Sequence, residues 1–331
     1  VSVGRYGGLR FFKYLWFLVS AERARKKGRY DLCFSLAKTW TQDIIRIGGG
    51  PLQSFWKLSD QAWPAGGPRL WKQLTRRLRL ANWLTILAET HFYRTTPCIV
   101  PISDTVCEWV GEVYPHLKDA GANGHEVVTV YNCPDVSRFH PPDAAQRAQA
   151  RQALGVRPGT YALGLATTNF ALKGVGPLIQ ALTLLPGDVE LHIAGGRDAG
   201  RYLKLACYLG LAERVRFHGK VGDMAGFYHG LDMYVHPSFY DTLGNVVLEA
   251  LGSGLKTLCS NRAGASAFLP QSQVIVDPSD AGEIAAKVTA LREMRSVPPF
   301  TPKGAGIDDL VALVARKLAE KRAALDSKGR Y

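Results

Sequence analysis

The stretch MYVHPSFYDTLGNVVLE, residues 233–249, combines a short strand with the beginning of a helix. The apolar residues Met233–Val235 predict a buried strand, and the apolar run after Gly244 predicts a helix. Two carboxylates, Asp241 and Glu249, stand eight positions apart around the predicted helix start. The stretch therefore predicts a strand that leads into a helix, with acidic side chains close to the junction.

The same alternation of strand and helix extends on both sides of this stretch. The predicted strands are 161–166, 189–194, 214–218, 232–235, 256–260 and 273–276, and the predicted helices are 174–185, 200–209, 223–229, 244–253 and 280–293. This spacing requires crossover connections and a parallel sheet covered on both faces, so the predicted fold class is α/β. Such sheets bind ligands beyond the carboxyl ends of their strands.

The helix start after Asp241 has the chemistry of an anion site. Unpaired backbone N–H groups and the positive end of the helix dipole favour a phosphate, and Gly244 lets a ligand approach the backbone. Glu249 lies over a turn further along, where its carboxylate can accept hydrogen bonds from ribose hydroxyls. The arrangement predicts a sugar nucleotide held by its diphosphate and its ribose.

Three further segments follow predicted strands and belong to the same edge. Lys173 stands at a helix start, which is unfavourable unless an anion lies beside it; the alternative is an exposed surface lysine. Gly195-Gly196 permits close approach of a ligand, or forms a simple turn. The backbone of Phe217–Val221 can contact the edge of a nucleobase, with Val221 packing nearby. A single histidine such as His218 is more often structural than catalytic.

These segments together carry a resemblance. In chain order they are Lys173-Gly174, Ala194-Gly195-Gly196, Phe217-His218-Gly219, and His236-Pro237-Ser238 followed by an acid, seven residues and a Glu. Over roughly residues 125–293 the chain resembles retaining glycosyltransferases of family 4. The earlier segment from Asp31 to Asp43 resembles, more loosely, the lipopolysaccharide core glucosyltransferases of that family. The resemblance implies the GT-B fold, in which two Rossmann-like domains face a cleft. It also implies metal-independent transfer of a hexose from a nucleoside-diphosphate sugar, with retention of configuration.

The resemblance also implies roles for individual residues. Lys173 neutralises the leaving diphosphate, Asp241 contacts sugar hydroxyls, and Glu249 binds the ribose. Asp43 matches, more loosely, a carboxylate on the acceptor side; its alternative is a helix cap. The remaining predicted donor-binding residues are Thr242, Leu243, Gly244, Gly195, Gly196, Phe217, Val221 and Asn169. We expect no metal, because the chain has no Asp-x-Asp, and no cofactor besides the donor substrate.

The sequence departs from the family pattern at several points. Asp241 replaces the usual Glu, Thr168 stands where many relatives have Arg, and Lys256 stands where they usually have Pro. Positive charge at the phosphates then depends on Lys173 and backbone dipoles. The N-terminal domain is expected to be incomplete, with roughly two strands and a glycine-rich loop preceding residue 1.

The predicted domains are a partial acceptor-side Rossmann-like domain at 1–140, a nucleotide-sugar domain at 141–300 and a C-terminal helix at 301–331. In the first domain we predict helices at 9–27 and 69–90, strands at 30–35, 98–103 and 127–131, and a loop at 41–68.

Charge is concentrated at the start of the chain. Residues 1–80 contain 16 Lys and Arg but only 4 Asp and Glu, a net charge of +12 out of +13 for the whole chain. Such a field attracts an anionic partner, unless it is simply a solvated basic face. Taken with the resemblance, this charge implies an acceptor that is an anionic or lipid-linked glycan of the cell envelope.

The same basic region predicts peripheral contact with anionic lipid on the inner face of the cytoplasmic membrane. Phe12 and Trp16 either insert into that surface or pack their helix onto the sheet. No recognition motif accompanies the charge, so nucleic acid is not the expected partner. Six scattered cysteines indicate reduced thiols in a cytoplasmic protein.

Two other functions stay open at this point. A sugar-nucleotide 2-epimerase uses the same fold but needs an acid/base pair that the sequence does not show. A non-catalytic nucleotide-sugar-binding module is compatible with the substitutions at Thr168 and Asp241. The donor base, the sugar, the linkage and the oligomeric state are not determined by the sequence.

Overall fold

The computed structural model describes residues 9–28, 30–118, 121, 124–196, 198–296 and 298–328. The chain forms two compact units. Unit 1 contains residues 1–132 and 304–331, and unit 2 contains residues 133–303. The predicted boundary lay at 140/141, whereas the chain passes between the units at 132/133 and 303/304.

Unit 1 is built on a parallel sheet of four strands in the order β1-β2-β3-β4. Strand β2 is almost fully buried, and β3 is buried at all four residues. The elements are α1 (Arg10–Lys27), β1 (Phe34–Ser35), β2 (Ile44–Ile47), α2 (Leu52–Ser59), α3 (Gly67–Leu78), α4 (Leu80–Thr95), β3 (Cys98–Pro101), α5 (Asp104–Val113) and β4 (Glu126–Val127).

Several predictions for unit 1 were wrong. The segment 41–68 is not a loop, because it contains β2 and α2. Glycine and proline between β2 and α2, and again after α2, hide these short elements in the sequence. The single helix predicted at 69–90 is two helices, separated where Arg79 adopts extended backbone (φ −82°, ψ 108°). The strand predicted at 30–35 is ordered as a strand only at its last two residues.

Unit 2 contains a parallel sheet of six strands, and its strand boundaries agree with the prediction to within one or two residues. Its elements are α6 (Ala144–Leu154), β5 (Tyr161–Ala166), α7 (Val175–Ala181), β6 (Val189–Ala194), α8 (Gly200–Tyr208), β7 (Val215–Gly219), α9 (Met224–His229), β8 (Met233–His236), α10 (Asn245–Gly252), β9 (Lys256–Ser260), β10 (Val274–Ile275) and α11 (Ala281–Glu293). Strands β6 and β8 are buried throughout, as expected for strands covered on both faces.

The strand order in unit 2 is β10-β9-β8-β5-β6-β7. This is the order of a doubly wound dinucleotide-binding sheet, in which the winding direction reverses between the first and fourth strands. Here the reversal lies between β5 and β8, which pair through Leu163 with Met233 and Gly164 with Tyr234. A crevice at the carboxyl ends of these two strands is the expected ligand position.

The last helix, α12 (Ile307–Lys328), belongs to unit 1. Its Leu310 and Leu313 are buried against Ile44, Val100 and Val130. The C-terminal segment therefore completes the hydrophobic core of the first unit. Among the described residues, no helix is both long and apolar enough to cross a membrane.

Candidate functional site

The loops that follow β5, β6, β7 and β8 meet at the carboxyl edge of the unit 2 sheet. Hydrogen bonds join Thr167 N–H to the Ala194 carbonyl and Gly195 N–H to the Gly219 carbonyl. The Lys173 ammonium donates to the Tyr240 carbonyl at 3.0 Å, which joins the loop after β5 to the loop after β8. The predicted segments thus lie on one edge, around the reversal in strand order.

Lys173, Asp241 and His236 form a connected cluster across that reversal. The Lys173 Nζ lies 2.5 Å from Oδ2 of Asp241, and the two side chains are only 17% and 16% exposed. The same Oδ2 atom accepts a hydrogen bond from Nε2 of His236 at 2.9 Å. His236 itself is fully buried at the end of β8.

The electrostatics of this cluster fix its protonation. Burial opposes ionisation of Asp241, but the hydrogen bond from His236 and the charge of Lys173 outweigh it and hold the pKa of Asp241 well below its ordinary value. Burial lowers the pKa of His236, so this ring is neutral near pH 7. Its proton is on Nε2, because an ionised carboxylate only accepts hydrogen bonds. His236 Nδ1 is buried and has no hydrogen-bond partner among the described residues.

Glycine is required where α7 begins. Gly174 is the N-cap of α7 and adopts φ 71°, a region that favours glycine. A Cβ atom at this position would lie 2.1 Å from the carbonyl oxygen of Pro237. The main chain beside Lys173 therefore packs directly against the loop that carries Asp241.

The Gly195-Gly196 turn is also shaped by close internal packing. A Cβ atom on Gly195 would lie 2.7 Å from the Thr167 carbonyl oxygen, and one on Gly196 would lie 1.8 Å from the Phe170 ring. These contacts explain both glycines without a ligand. Their place on the same edge as Lys173 keeps the predicted donor-binding role open.

The start of α10 is held by a second loop. The carbonyls of Asp241 and Leu243 accept hydrogen bonds from the N–H groups of Gly264 and Ala265. The side chain of Leu243 is buried, so only its main chain is open to the predicted ligand contact, which stays a prediction. Gly244 is the N-cap of α10, and the first turn of the helix contains no acidic residue. This helix terminus, which follows Thr242, therefore suits an anion.

Glu249 lies one turn further along α10 and is half-buried. Its Oε2 atom accepts a hydrogen bond of 2.8 Å from the hydroxyl of Tyr228. Burial raises the pKa of Glu249, while the Tyr228 hydrogen bond and the charge of Arg138 act in the opposite direction. Sequence reasoning missed Tyr228 and Arg138, because neither is near Glu249 in the chain and neither belongs to a strand-end motif.

The remaining predicted donor-binding residues have different surroundings. Asn169 is exposed and shapes its own loop, since its side-chain oxygen accepts from Leu172 N–H at 3.2 Å. Phe217 packs against Phe170 at a ring-centroid distance of 5.5 Å. Val221 lines a cavity of about 520 Å³ in unit 2, which also includes Arg138 and Asp223.

Asp43 lies in unit 1, directly before β2 and therefore at the amino end of that strand. One carboxylate oxygen accepts from Cys33 N–H and the other from Lys321 Nζ, both at 2.7 Å. These contacts join β1, β2 and α12, which favours a structural role for Asp43. The acceptor-side role expected for Asp43 stays a prediction.

Within the part of the chain that the structure describes, no group of three or more His, Cys, Asp or Glu side chains is arranged to hold a metal ion. The positive charge that the site presents to an anion comes from Lys173 and the start of α10.

Comparison with known proteins identifies the domain that carries this site. Residues 162–293 match the family model described as Glycosyl transferases group 1. This segment is a glycosyltransferase group 1 domain. It contains every predicted donor-binding residue of unit 2, including Lys173, Asp241 and Glu249.

Curated relatives support the same grouping. The chain is 28% identical over 205 residues to the lipopolysaccharide core biosynthesis glycosyltransferase LpsE of Rhizobium meliloti (strain 1021), covering 61% of this chain and 55% of the relative. It is 30% identical over 249 residues to a GDP-mannose-dependent alpha-(1-6)-phosphatidylinositol monomannoside mannosyltransferase of Mycobacterium tuberculosis (strain ATCC 25618 / H37Rv), covering 66% and 63%. The chain thus spans between about half and two thirds of the length of these relatives.

Solved structures confirm the GT-B fold. WaaG, a glycosyltransferase involved in lipopolysaccharide biosynthesis, aligns with a TM-score of 0.69 at 17% identity, covering 89% of this chain and 77% of WaaG. Anabaena Alr3699/HepE, in complex with UDP-glucose, aligns with a TM-score of 0.59 at 17% identity, covering 82% and 72%. At these identities the likeness concerns the fold alone.

Proposed function

We propose that this chain transfers a hexose from a nucleoside-diphosphate sugar to a glycan or lipid-linked acceptor, most specifically of the lipopolysaccharide core or a related cell-envelope glycan. The observation that carries the proposal is the contact between Lys173 and Asp241 across the reversal in strand order, beside the start of α10. Relatives named as acting in lipopolysaccharide core synthesis, and a structural neighbour holding UDP-glucose, support this choice.

In this proposal the diphosphate lies between the Lys173 ammonium and the first turn of α10. Both groups stabilise negative charge as it develops on the leaving diphosphate, and burial of Lys173 strengthens the interaction. Lys173 has three N–H donors, so it can contact a phosphate while it keeps Asp241 as a neighbour. No divalent ion is needed in this scheme, and the product keeps the anomeric configuration of the donor.

The sugar and the nucleoside occupy opposite sides of the diphosphate. Asp241 contacts sugar hydroxyls, and its low pKa keeps it ionised as a hydrogen-bond acceptor. Glu249 accepts the ribose hydroxyls, and the cavity at Val221 receives the nucleobase. Arg138 lines that cavity, and its charge also lowers the pKa of Glu249. This shared neighbour supports a continuous nucleoside site.

The proposal is tested by donor binding and transfer with matched variants. UDP-, ADP- and GDP-sugars are screened by thermal shift, and transfer to a lipopolysaccharide core acceptor is then measured. Lys173→Met removes the ammonium, and we expect transfer to fall by about 100-fold. Lys204→Met removes an exposed lysine of α8 and serves as the control.

The outcomes separate the candidate functions. Unchanged donor binding and transfer in Lys173→Met and in Glu249→Gln contradict the assignment of these residues. Donor binding without transfer or donor conversion supports a non-catalytic binding module, and isomerised donor supports an epimerase.

We also propose peripheral contact with anionic lipid on the inner face of the cytoplasmic membrane. Helix α3 has no buried residue, and its apolar side chains Leu70, Trp71 and Leu78 are 64%, 69% and 70% exposed. Arg77 and Arg79 are exposed beside them. An unburied helix with an apolar stripe and adjacent cations is typical of membrane-surface helices. On α1, Phe12 and Trp16 remain 49% and 42% exposed, so packing accounts for only part of their surface.

Vesicle flotation tests this contact. We expect binding to vesicles that contain phosphatidylglycerol, weaker binding to pure phosphatidylcholine, and loss of binding with added salt. The double variant Trp71→Ser/Leu78→Ser should bind less, whereas Tyr208→Ser changes a side chain of unit 2 that is even more exposed and should bind as the wild type does. Equal binding to both vesicle types contradicts the proposal.

A further inference from the structure

Tyr228 is a fully buried tyrosine whose hydroxyl reaches the site. It belongs to α9, has no exposed surface and donates a 2.8 Å hydrogen bond to Glu249 Oε2. Its ring packs edge-on against Phe139, Phe227 and Tyr234, with centroid distances of 5.7 to 5.9 Å. Contacts on several sides leave the ring, and hence the hydroxyl, little freedom to move.

The polarity of this hydrogen bond is fixed by its surroundings. Burial raises the pKa of Tyr228 far above its ordinary value, so the hydroxyl keeps its proton. The hydroxyl is therefore a permanent donor, and Glu249 is the acceptor that it meets. A carboxylate held at one oxygen by a rigid donor has a defined orientation, and its remaining lone pairs are available to a ligand.

We propose that Tyr228 is a positioning residue for the donor nucleoside, holding Glu249 in the orientation that accepts the ribose hydroxyls. The inference rests on the proposed function, because it assumes that Glu249 binds ribose. It adds that ribose binding depends on a side chain that does not itself contact the ligand.

The inference also predicts a pH dependence. The side chains that influence the pKa of Glu249 are Tyr228 from α9 and Arg138 from the segment before α6. Glu249 in turn contributes to the raised pKa of the buried Tyr234 in β8. Burial raises the pKa of Glu249, and the Tyr228 hydrogen bond partly offsets this effect. Donor affinity should fall as pH decreases and Glu249 becomes protonated. Without the Tyr228 hydroxyl, this loss of affinity should begin at a higher pH.

The experiment compares ribose with 2′-deoxyribose ligands. Calorimetry on the full chain first selects the tightest binder among UDP, ADP and GDP, and the selected ligand is then compared with its 2′-deoxy counterpart. The wild type should prefer the ribose form by about tenfold, the effect of one hydrogen bond to a charged group. Tyr228→Phe keeps the ring and its packing, and it should bring this preference close to one.

Tyr161→Phe is the matched control. The Tyr161 hydroxyl is buried in unit 2 but has no hydrogen-bond partner among the described residues, so its removal should leave the preference unchanged. A Tyr228→Phe variant with an unchanged ribose preference and an unchanged pH profile overturns the positioning role, whatever its melting temperature. If the wild type binds none of the three diphosphates, the proposed function fails together with this inference.

Discussion

Asp241 is the residue on which the electrostatics of the site depend. Its carboxylate has a cation on one side and a neutral imidazole on the other, within a largely buried edge of the sheet. Such a pair is costly to disrupt, because removal of one charge leaves the other without compensation in a poorly solvated place. Asp241 thus balances the charge of Lys173, and under the proposed function the same ammonium binds the diphosphate.

Asp241→Asn should destabilise unit 2 by about 2 kcal/mol near pH 7, because the amide keeps an acceptor but loses the charge. The folded-state pKa of Asp241 is lowered, so its contribution is present above the ordinary value of 3.8 and is lost as pH falls below it. The difference in unfolding free energy between wild type and variant should therefore begin to shrink at about pH 4 and keep shrinking as the pH falls further towards the folded-state pKa.

Urea unfolding followed by circular dichroism measures that difference. All seven tryptophans lie at or before Trp109, in unit 1, so their fluorescence reports on that unit alone and provides an internal reference. If the loss of unfolding free energy in Asp241→Asn does not change with pH, the proposed contribution of the Lys173–Asp241 pair is contradicted.

The sequence was sufficient to place Lys173, Asp241 and Glu249 on one sheet edge, because motif order and strand periodicity determine which loops share it. The partners of these residues were not predictable. His236 stands in the sequence only as part of a motif, and Tyr228 of α9 contacts Glu249 of α10 through a side-chain hydrogen bond. Contacts of this kind depend on side-chain geometry, which leaves no periodic signal in the sequence.

At the scale of elements, the junction between β5 and α7 is set by the close approach of two loops. Gly174 places the start of α7 against Pro237, and the same approach brings Lys173 to Asp241. The position of a short helix thus controls the distance between two charged groups.

Gly174→Ala should cost about 2 kcal/mol of stability, because the new Cβ meets the Pro237 carbonyl and the backbone is strained. It should also weaken nucleotide binding, since Lys173 is displaced. Gly187→Ala is the control: open space surrounds that position. Chemical denaturation and calorimetry measure both effects, and a fully stable Gly174→Ala variant would show that the junction is not so constrained.

The elements of unit 2 were predicted more accurately than those of unit 1. Long buried strands such as β6 alternate with helices of regular length, and this pattern is strong. In unit 1, β2 has only four residues and is followed at once by three glycines and a proline, which are typical of a loop. Its burial depends on neighbours far away in the chain, including α12.

At the scale of the whole molecule, the two units have separate cores. The core of unit 2 comes entirely from the continuous segment 133–303, whereas the core of unit 1 includes Leu310 and Leu313 from the end of the chain. A change in α12 should consequently affect unit 1 alone.

Leu313→Ala should lower the stability of unit 1 by about 3 kcal/mol, the cost of a cavity at a buried leucine. Val311 lies two positions away and its side chain is 60% exposed. Val311→Ala should therefore change stability little. Tryptophan fluorescence should show the shift for Leu313→Ala only, while nucleotide binding by unit 2 is retained. Equal shifts for both variants would contradict the packing of α12 in this core.

The late position of α12 in the chain has a consequence for biosynthesis. The sheet of unit 1 leaves the ribosome first, but the helix that covers it follows only after the roughly 170 residues of unit 2. At about 5–20 residues per second, translation leaves this apolar surface uncovered for roughly 10–30 s. The second unit, whose segment is continuous, can reach its native state before the first, so the nascent chain matures in the reverse of its order of synthesis.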